Sequence, residues 1–208
     1  MAKIGQILGR QFNFYQHSEI SKVTIYLIRH AQSAFNAVYD PNKPDPMIFD
    51  APITALGETQ AQQARSEVQQ LDLINVIVSP FTRALQTAQL IFGNRLPFQI
   101  NSEVREQLCN SCDVGSPPHE LARDYPHLDF DHLDDCWWHD GEKDHRGISV
   151  EPEEILLARA NRFVDLPHGG IGQLGIGHDC SGLALNDYLV QKRITRALDH
   201  SQFGGLNA

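Results

Sequence analysis

Arg29 and His30 close the apolar run of residues 23–28 in the segment TIYLIRHAQSAFN. A run this rich in β-branched residues reads as a buried strand, so a cation and an imidazole stand together at a strand's carboxyl end. That is where open α/β sheets gather their chemistry. Gln32, Ser33 and Asn36 follow, and their amide and hydroxyl groups can bind anionic oxygens without adding negative charge. A second apolar run, Val76-Ile77-Val78, leads into Ser79-Pro80-Phe81-Thr82-Arg83. With Ser79 as N-cap and Pro80 at the first helical position, Arg83 falls in the first turn of a helix. A third run, from Gln173, ends in His178. Arg29, His30, Arg83 and His178 can therefore face one anion, whereas the Arg29-His30 pair alone would be an ordinary solvated strand end.

The motifs RHxxSxxN, SPxTRAxQTA and the late Gly177-His178 resemble, in the same order, those of the histidine phosphatase superfamily, the phosphoglycerate-mutase-like proteins. The resemblance runs from about residue 23 to about residue 189. It implies a three-layer α/β/α sandwich, a mostly parallel sheet with helices on both faces. It also implies that His30 attacks phosphorus and forms a phosphohistidine that water hydrolyses, with no metal or other cofactor. Such a reaction needs an in-line nucleophile and positive groups around the equatorial oxygens. Arg29 and Arg83 offer planar donors suited to those oxygens, and His178 a further hydrogen bond. Gln32, Ser33, Asn36, Asp179 and Cys180 are candidates for additional substrate contacts.

A leaving alkoxide must be protonated, and two carboxylates compete for that task. Glu106 lies where many phosphoglycerate-mutase-like members carry their acid/base glutamate. Asp179, directly after His178, resembles the donor of the acid-phosphatase branch. SPFTRALQTA and the short chain favour Glu106; otherwise either is an ordinary carboxylate, or Asp179 a helix cap. Two departures stand out. Ala31 replaces the family's usual glycine after the RH pair, which requires a negative φ there. The second histidine continues as HDCSG rather than a Gly-rich segment.

The resemblance implies a phosphomonoester hydrolase whose substrate is a phosphorylated small molecule or a phosphorylated side chain. A mutase of the family would carry an RHYG-type segment after the acid, and here Glu106 is followed by QLCNSC. A low-activity regulator that binds a phosphorylated ligand is the alternative from another class, motivated by Ala31 and HDCSG. Cys109 and Cys112 have CxxC spacing, but no second pair follows and the histidine spacing fits no standard zinc site, so ordinary thiols are expected.

Composition bounds these readings. The chain has 208 residues, 41% hydrophobic and 8% aromatic, which suits one domain with a buried core rather than a disordered chain. A net charge of −9 argues against nucleic-acid or anionic-membrane partners, yet a few convergent cations can still hold a phosphate locally. No run approaches the roughly 20 apolar residues that span a bilayer. The start of the chain lacks the compact apolar core of a secretory signal, and four cysteines are few for a disulfide scaffold, so a cytoplasmic location is expected.

Residues 1–21 show no clear periodicity and read as an extension. The domain is expected over 22–200 and a loose tail over 201–208. Pro- and Asp-rich residues 39–52 form a loop. Thr54 caps a helix to about Gln70, with Leu56, Ala61, Ala64, Val68 and Leu71 on its apolar stripe. A strand over 73–79 is followed by a helix from Thr82 to Phe92 and a short strand from Phe98 to Ile100. Residues 109–149, rich in His and Asp and holding Trp137-Trp138, read as an insertion over the site that sets substrate choice. A helix opened by acidic residues from Glu151 runs to about Leu166, then a Gly-rich turn over 167–172, the third strand, and a last helix over 183–190.

Overall fold

A computed structural model of the chain describes residues 8–16, 19–165 and 173–176. Strand β1 (Leu8–Gln16) pairs antiparallel with β2 (Glu19–Ile28). Strands β3 (Asn75–Val78), β4 (Phe98–Ile100) and β5 (Gln173–Ile176) join in parallel, giving the order β1-β2-β5-β3-β4. Helices α1 (Ala34–Val38), α2 (Ala55–Val68), α3 (Thr82–Phe92), α4 (Pro118–Asp124) and α5 (Glu153–Asp165) lie between the strands. This is the mostly parallel α/β architecture that the motifs imply. No helix among the described residues is long and apolar enough to cross a membrane.

Alternation along β3 explains the layers. Val76 and Val78 join one core with Ala61, Ala64 and Val68 of α2 and Leu85 and Ile91 of α3. Ile77 points the other way and packs with Leu156, Ala160 and Phe163 of α5. Successive side chains of a strand face opposite sides, so a continuous apolar strand must be covered twice. Each such side chain, buried like Leu85 at 0% exposure, stabilises the fold by about 1.5–3 kcal/mol.

Several expectations shift. Residues 8–16 form a strand rather than an unpatterned extension; the alternation Gln11-Phe12-Asn13-Phe14 is the period-2 signal, too short to stand out in a polar stretch. Leu56 is exposed and Gly57 takes its place inside, where a Cβ would collide with the carbonyl oxygen of Gln32. Helix α3 starts at Thr82, not at Pro80, and Ser79 is not its cap. Asp50, from the 39–52 loop, serves instead: it accepts hydrogen bonds from the backbone N–H of Thr82 at 2.9 Å and from its hydroxyl at 2.7 Å. A carboxylate there also meets the positive end of the helix. Asp50 reaches it from a left-handed backbone at φ 36°, a conformation Asp tolerates better than most residues.

Residues 109–149 contain a 3-10 turn (Ser111–Asp113) and α4, begun by Pro118. Trp137 fastens this segment to the body, packing edge-on against Phe81 with centroids 4.8 Å apart and donating its ring N–H to the Ser116 carbonyl at 2.8 Å. Helix α5 begins at Glu153, and Glu151 before it is buried in ion pairs instead of helping to open the helix. Residues 1–7, the 167–172 turn, the 183–190 helix and the tail lie outside the described residues.

Candidate active site

Because β2 and β3 both run parallel to β5 between them, and β4 runs parallel to β3, their carboxyl ends share one edge. His30 lies two residues beyond β2, Arg83 in the first turn after β3, and Glu106 a few residues beyond β4. All three are nearly fully buried, and Arg29 is exposed beside them.

The loop that carries His30 is held from several directions. Ala31 donates its N–H to the Thr87 hydroxyl of α3 at 3.1 Å. Gln32 is tied to the start of α2: its N–H reaches Gln60 Oε1, its carbonyl accepts from Thr54 N–H, and its own Oε1 accepts from the Thr54 hydroxyl at 2.8 Å. Ser33 caps α1 in a reciprocal box with Asn36. Two motif residues thereby gain structural reasons, since Gln86 receives the Ile53 N–H at 2.8 Å and Thr87 holds Ala31. Ala31 needs no glycine: among the described residues, the non-glycine ones with positive φ are Met47 and Asp50.

His30 Nδ1 lies 2.7 Å from the Ala31 carbonyl oxygen. A carbonyl only accepts, so Nδ1 carries the ring proton. Burial drives the pKa of His30 down to about 4; Arg83 adds to this and Glu106 opposes it. The ring is therefore neutral near pH 7, with its lone pair at Nε2, 3.7 Å from Glu106 Oε2.

Arg83 is the centre of charge. Its Nη1 donates to the Cys112 carbonyl at 2.6 Å, and its Nη2 to Glu106 Oε2 at 2.8 Å and Asp113 Oδ1 at 2.9 Å. Burial opposes the cation, but the two carboxylates outweigh it and raise the Arg83 pKa further. Arg29 is shifted down by partial desolvation, against the attraction of Glu106 and with the repulsion of Arg83, so all three sense one another. Burial, reinforced by Asp113, pushes the Cys112 thiol up and keeps it protonated.

Glu106 is positioned from behind. Arg159 of α5 donates through Nη1 to the carbonyls of Glu103 and Arg105, at 2.9 and 2.7 Å, and pairs with Glu151 through Nε and Nη2. Arg105 pairs with the same Glu151 at 2.7 Å. The backbone just before Glu106 is thus clamped to α5.

Of the sequence candidates, the described residues bring Arg29, His30, Arg83 and Glu106 together. Gln32, Ser33 and Asn36 border His30 but are engaged in fixing the loop. His178, Asp179 and Cys180 lie outside the described residues. Cys109, Cys112 and Cys136 are free thiols, and no group of three or more His, Cys, Asp or Glu with metal-binding geometry occurs among the described residues. Sequence reasoning overlooked Asp113 and the Cys112 carbonyl. The available signal was Asn110-Ser111-Cys112-Asp113, whose first and fourth residues form a capping box.

A family model described as the histidine phosphatase superfamily (branch 1) matches residues 25–166. The chain belongs to that superfamily. A phosphoglycerate mutase-like protein of Arabidopsis thaliana is 39% identical over 77 residues, which is 34% of this chain and 28% of that protein. The match therefore spans under a third of the curated relative. Among solved structures, Bacillus stearothermophilus YhfR is similar with a TM-score of 0.48 and 23% identity, covering 74% of this chain and 73% of that one. The alpha-ribazole phosphatase from Shigella flexneri gives a TM-score of 0.45 and 20% identity, with 74% and 73% covered.

Proposed function

We propose that the chain is a phosphomonoester hydrolase that works through a phosphohistidine on His30. The observation that carries this reading is the state of the His30 ring: neutral, its Nδ1–H held by the Ala31 carbonyl, its Nε2 lone pair beside Arg83 and Glu106. Such a nitrogen can attack phosphorus without first losing a proton. The P–O bond to the leaving group then breaks, and the alkoxide takes a proton from Glu106. Water later cleaves the P–N bond with Glu106 as base, releasing phosphate. Arg29 and Arg83 carry the charge of the equatorial oxygens, with His178 as a further donor and Gln32, Ser33, Asn36, Asp179 and Cys180 as secondary contacts.

Glu106 is paired with Arg83 and must gain a proton before donating one. A phosphate dianion sharing Arg83 supplies the cause, since a nearby like charge favours the protonated acid. Asp179 is the competing donor. The substrate is a phosphorylated small molecule or side chain, and the 109–149 insertion selects it. A cytoplasmic setting belongs to the same proposal, supported by the free thiols.

A binding regulator is the second reading, favoured by the two carboxylates already on Arg83 Nη2. Phosphate release from an aryl phosphate by EDTA-treated protein, beside His30→Ala, separates the two. Turnover that survives EDTA and vanishes in the variant supports the hydrolase. Phosphate-ester binding without turnover supports the regulator.

A further inference from the structure

Two acids share Nη2 of Arg83, and they are not equivalent. Asp113 is 0% exposed, and its Oδ2 accepts the N–H groups of Cys109 and Asn110 at 3.2 and 3.0 Å. The Cys112 thiol donates to its Oδ1 at 3.4 Å. Its own loop therefore locks it in place. Glu106 has a side chain that solvent reaches at 10%, and it sits 3.7 Å from His30 Nε2. A phosphoryl group approaching His30 needs donors from Arg83, and Glu106 is the acid able to give one up.

We propose that Asp113 is a positioning residue of this site: it stays on Arg83 while a bound oxyanion displaces Glu106, and its fixed charge makes the displaced Glu106 take up a proton. The inference rests on the phosphoryl-transfer reading of His30 and Arg83. Among the described residues, the charged and titratable groups facing Glu106 are Arg29 and His30 from the β2 loop, Arg83 from α3, and Cys112 and Asp113 from the insertion. With His30 and Cys112 neutral, two guanidiniums balance two carboxylates. An entering dianion leaves two negative charges in excess inside a buried site, and protonating the acid that has lost its cation relieves the strain. Burial, and after it the Glu106 charge, pushes the Asp113 carboxyl up, as expected where two carboxylates share one buried site. Asp113 cannot be the acid that leaves, because its departure would orphan two backbone N–H groups. The insertion thus reaches the chemistry through a carboxylate that never touches substrate.

Sulfate is a suitable probe because it does not titrate near neutrality. Calorimetry of sulfate binding in buffers of different ionisation enthalpy should show wild type taking up about one proton per site near pH 7. Asp113→Asn keeps one oxygen that can accept from the two backbone N–H groups and removes the charge; its uptake should fall below half. With an alkyl phosphate, whose leaving group needs the proton, the high-pH limb of its kcat profile should move down by about one pH unit, since Glu106 in the bound complex loses a like charge that raised it. Absence of proton uptake in wild type, or an Asp113→Asn profile that is lower but unmoved, would overturn the inference. Unchanged turnover in His30→Ala would instead overturn the phosphohistidine reading beneath it.

Discussion

Ala31 and Thr87, 56 positions apart, are joined by a 3.1 Å hydrogen bond from the backbone of one to the side chain of the other. The same hydroxyl donates to the Arg83 carbonyl at 2.7 Å. One atom thus fixes the loop of the candidate nucleophile to the helix of the candidate phosphate clamp. Thr87→Val preserves shape but leaves the buried Ala31 N–H unpaired, at a cost of about 1–3 kcal/mol. Urea unfolding should show that loss, and turnover of an aryl phosphate should fall with it, because His30 loses its register against Arg83.

His30 makes stability depend on pH. Its folded pKa of about 4 lies below the ordinary 6.5, so between those values the unfolded chain binds more protons than the folded one. Stability then rises with pH: the contribution is full above 6.5 and is lost as pH falls toward 4. The total is on the order of 3 kcal/mol. Chemical denaturation of wild type and His30→Asn at about pH 7 and about pH 5 checks this, with a smaller pH effect expected in the variant. Equal effects in both would mean that His30 is not held neutral.

Glu106→Gln keeps an acceptor for Arg83 and removes the transferable proton. Esters with poor leaving groups need that proton and should lose about 10²–10⁴-fold in rate, while a nitrophenyl ester, whose leaving group departs unprotonated, should lose far less. Equal losses for both esters would exclude Glu106 as the donor and move the role to Asp179. Arg83→Ala should cost about 2–4 kcal/mol of transition-state stabilisation for either ester.

Arg159→Met removes the α5 side of the clamp and leaves Glu151 buried with Arg105 as its one ion-pair partner among the described residues. Breaking a buried pair this way costs about 3–5 kcal/mol. The urea midpoint should drop accordingly with an unchanged slope. Any loss of activity in the still-folded variant reports on how far Glu106 depends on its backbone being held.

The elements carrying the motifs were legible because local chemistry dictates them. Thr54 as a cap and β4 over Phe98–Ile100 fall where local signals put them, and the apolar spacing marks the body of α3 over Thr82–Phe92 although its expected cap does not hold. What escaped notice depends on residues distant in sequence. Asp50 caps α3 from another loop, and nothing near Ser79 reveals that. Asp113 looks like any loop aspartate until Arg83 is beside it. Glu151 reads as part of a helix start, yet two arginines from different segments claim it first. A sequence displays periodicity and caps; it does not display which charged groups will share a cation.

In the strand order β1-β2-β5-β3-β4, the last described strand in the chain occupies the middle of the sheet. Before residues 173–176 emerge during synthesis, β2 and β3 have no common neighbour, and each presents a bare ladder of backbone donors and acceptors. Nascent chains therefore pass through a stage with two half-sheets open to wrong pairing, and closure waits on contacts about a hundred residues or more apart, which fold slowly. Pairing with β5 aligns β2 with β3, so the strand that completes the sheet also completes the frame on which the Ala31–Thr87 bond sets His30 against Arg83.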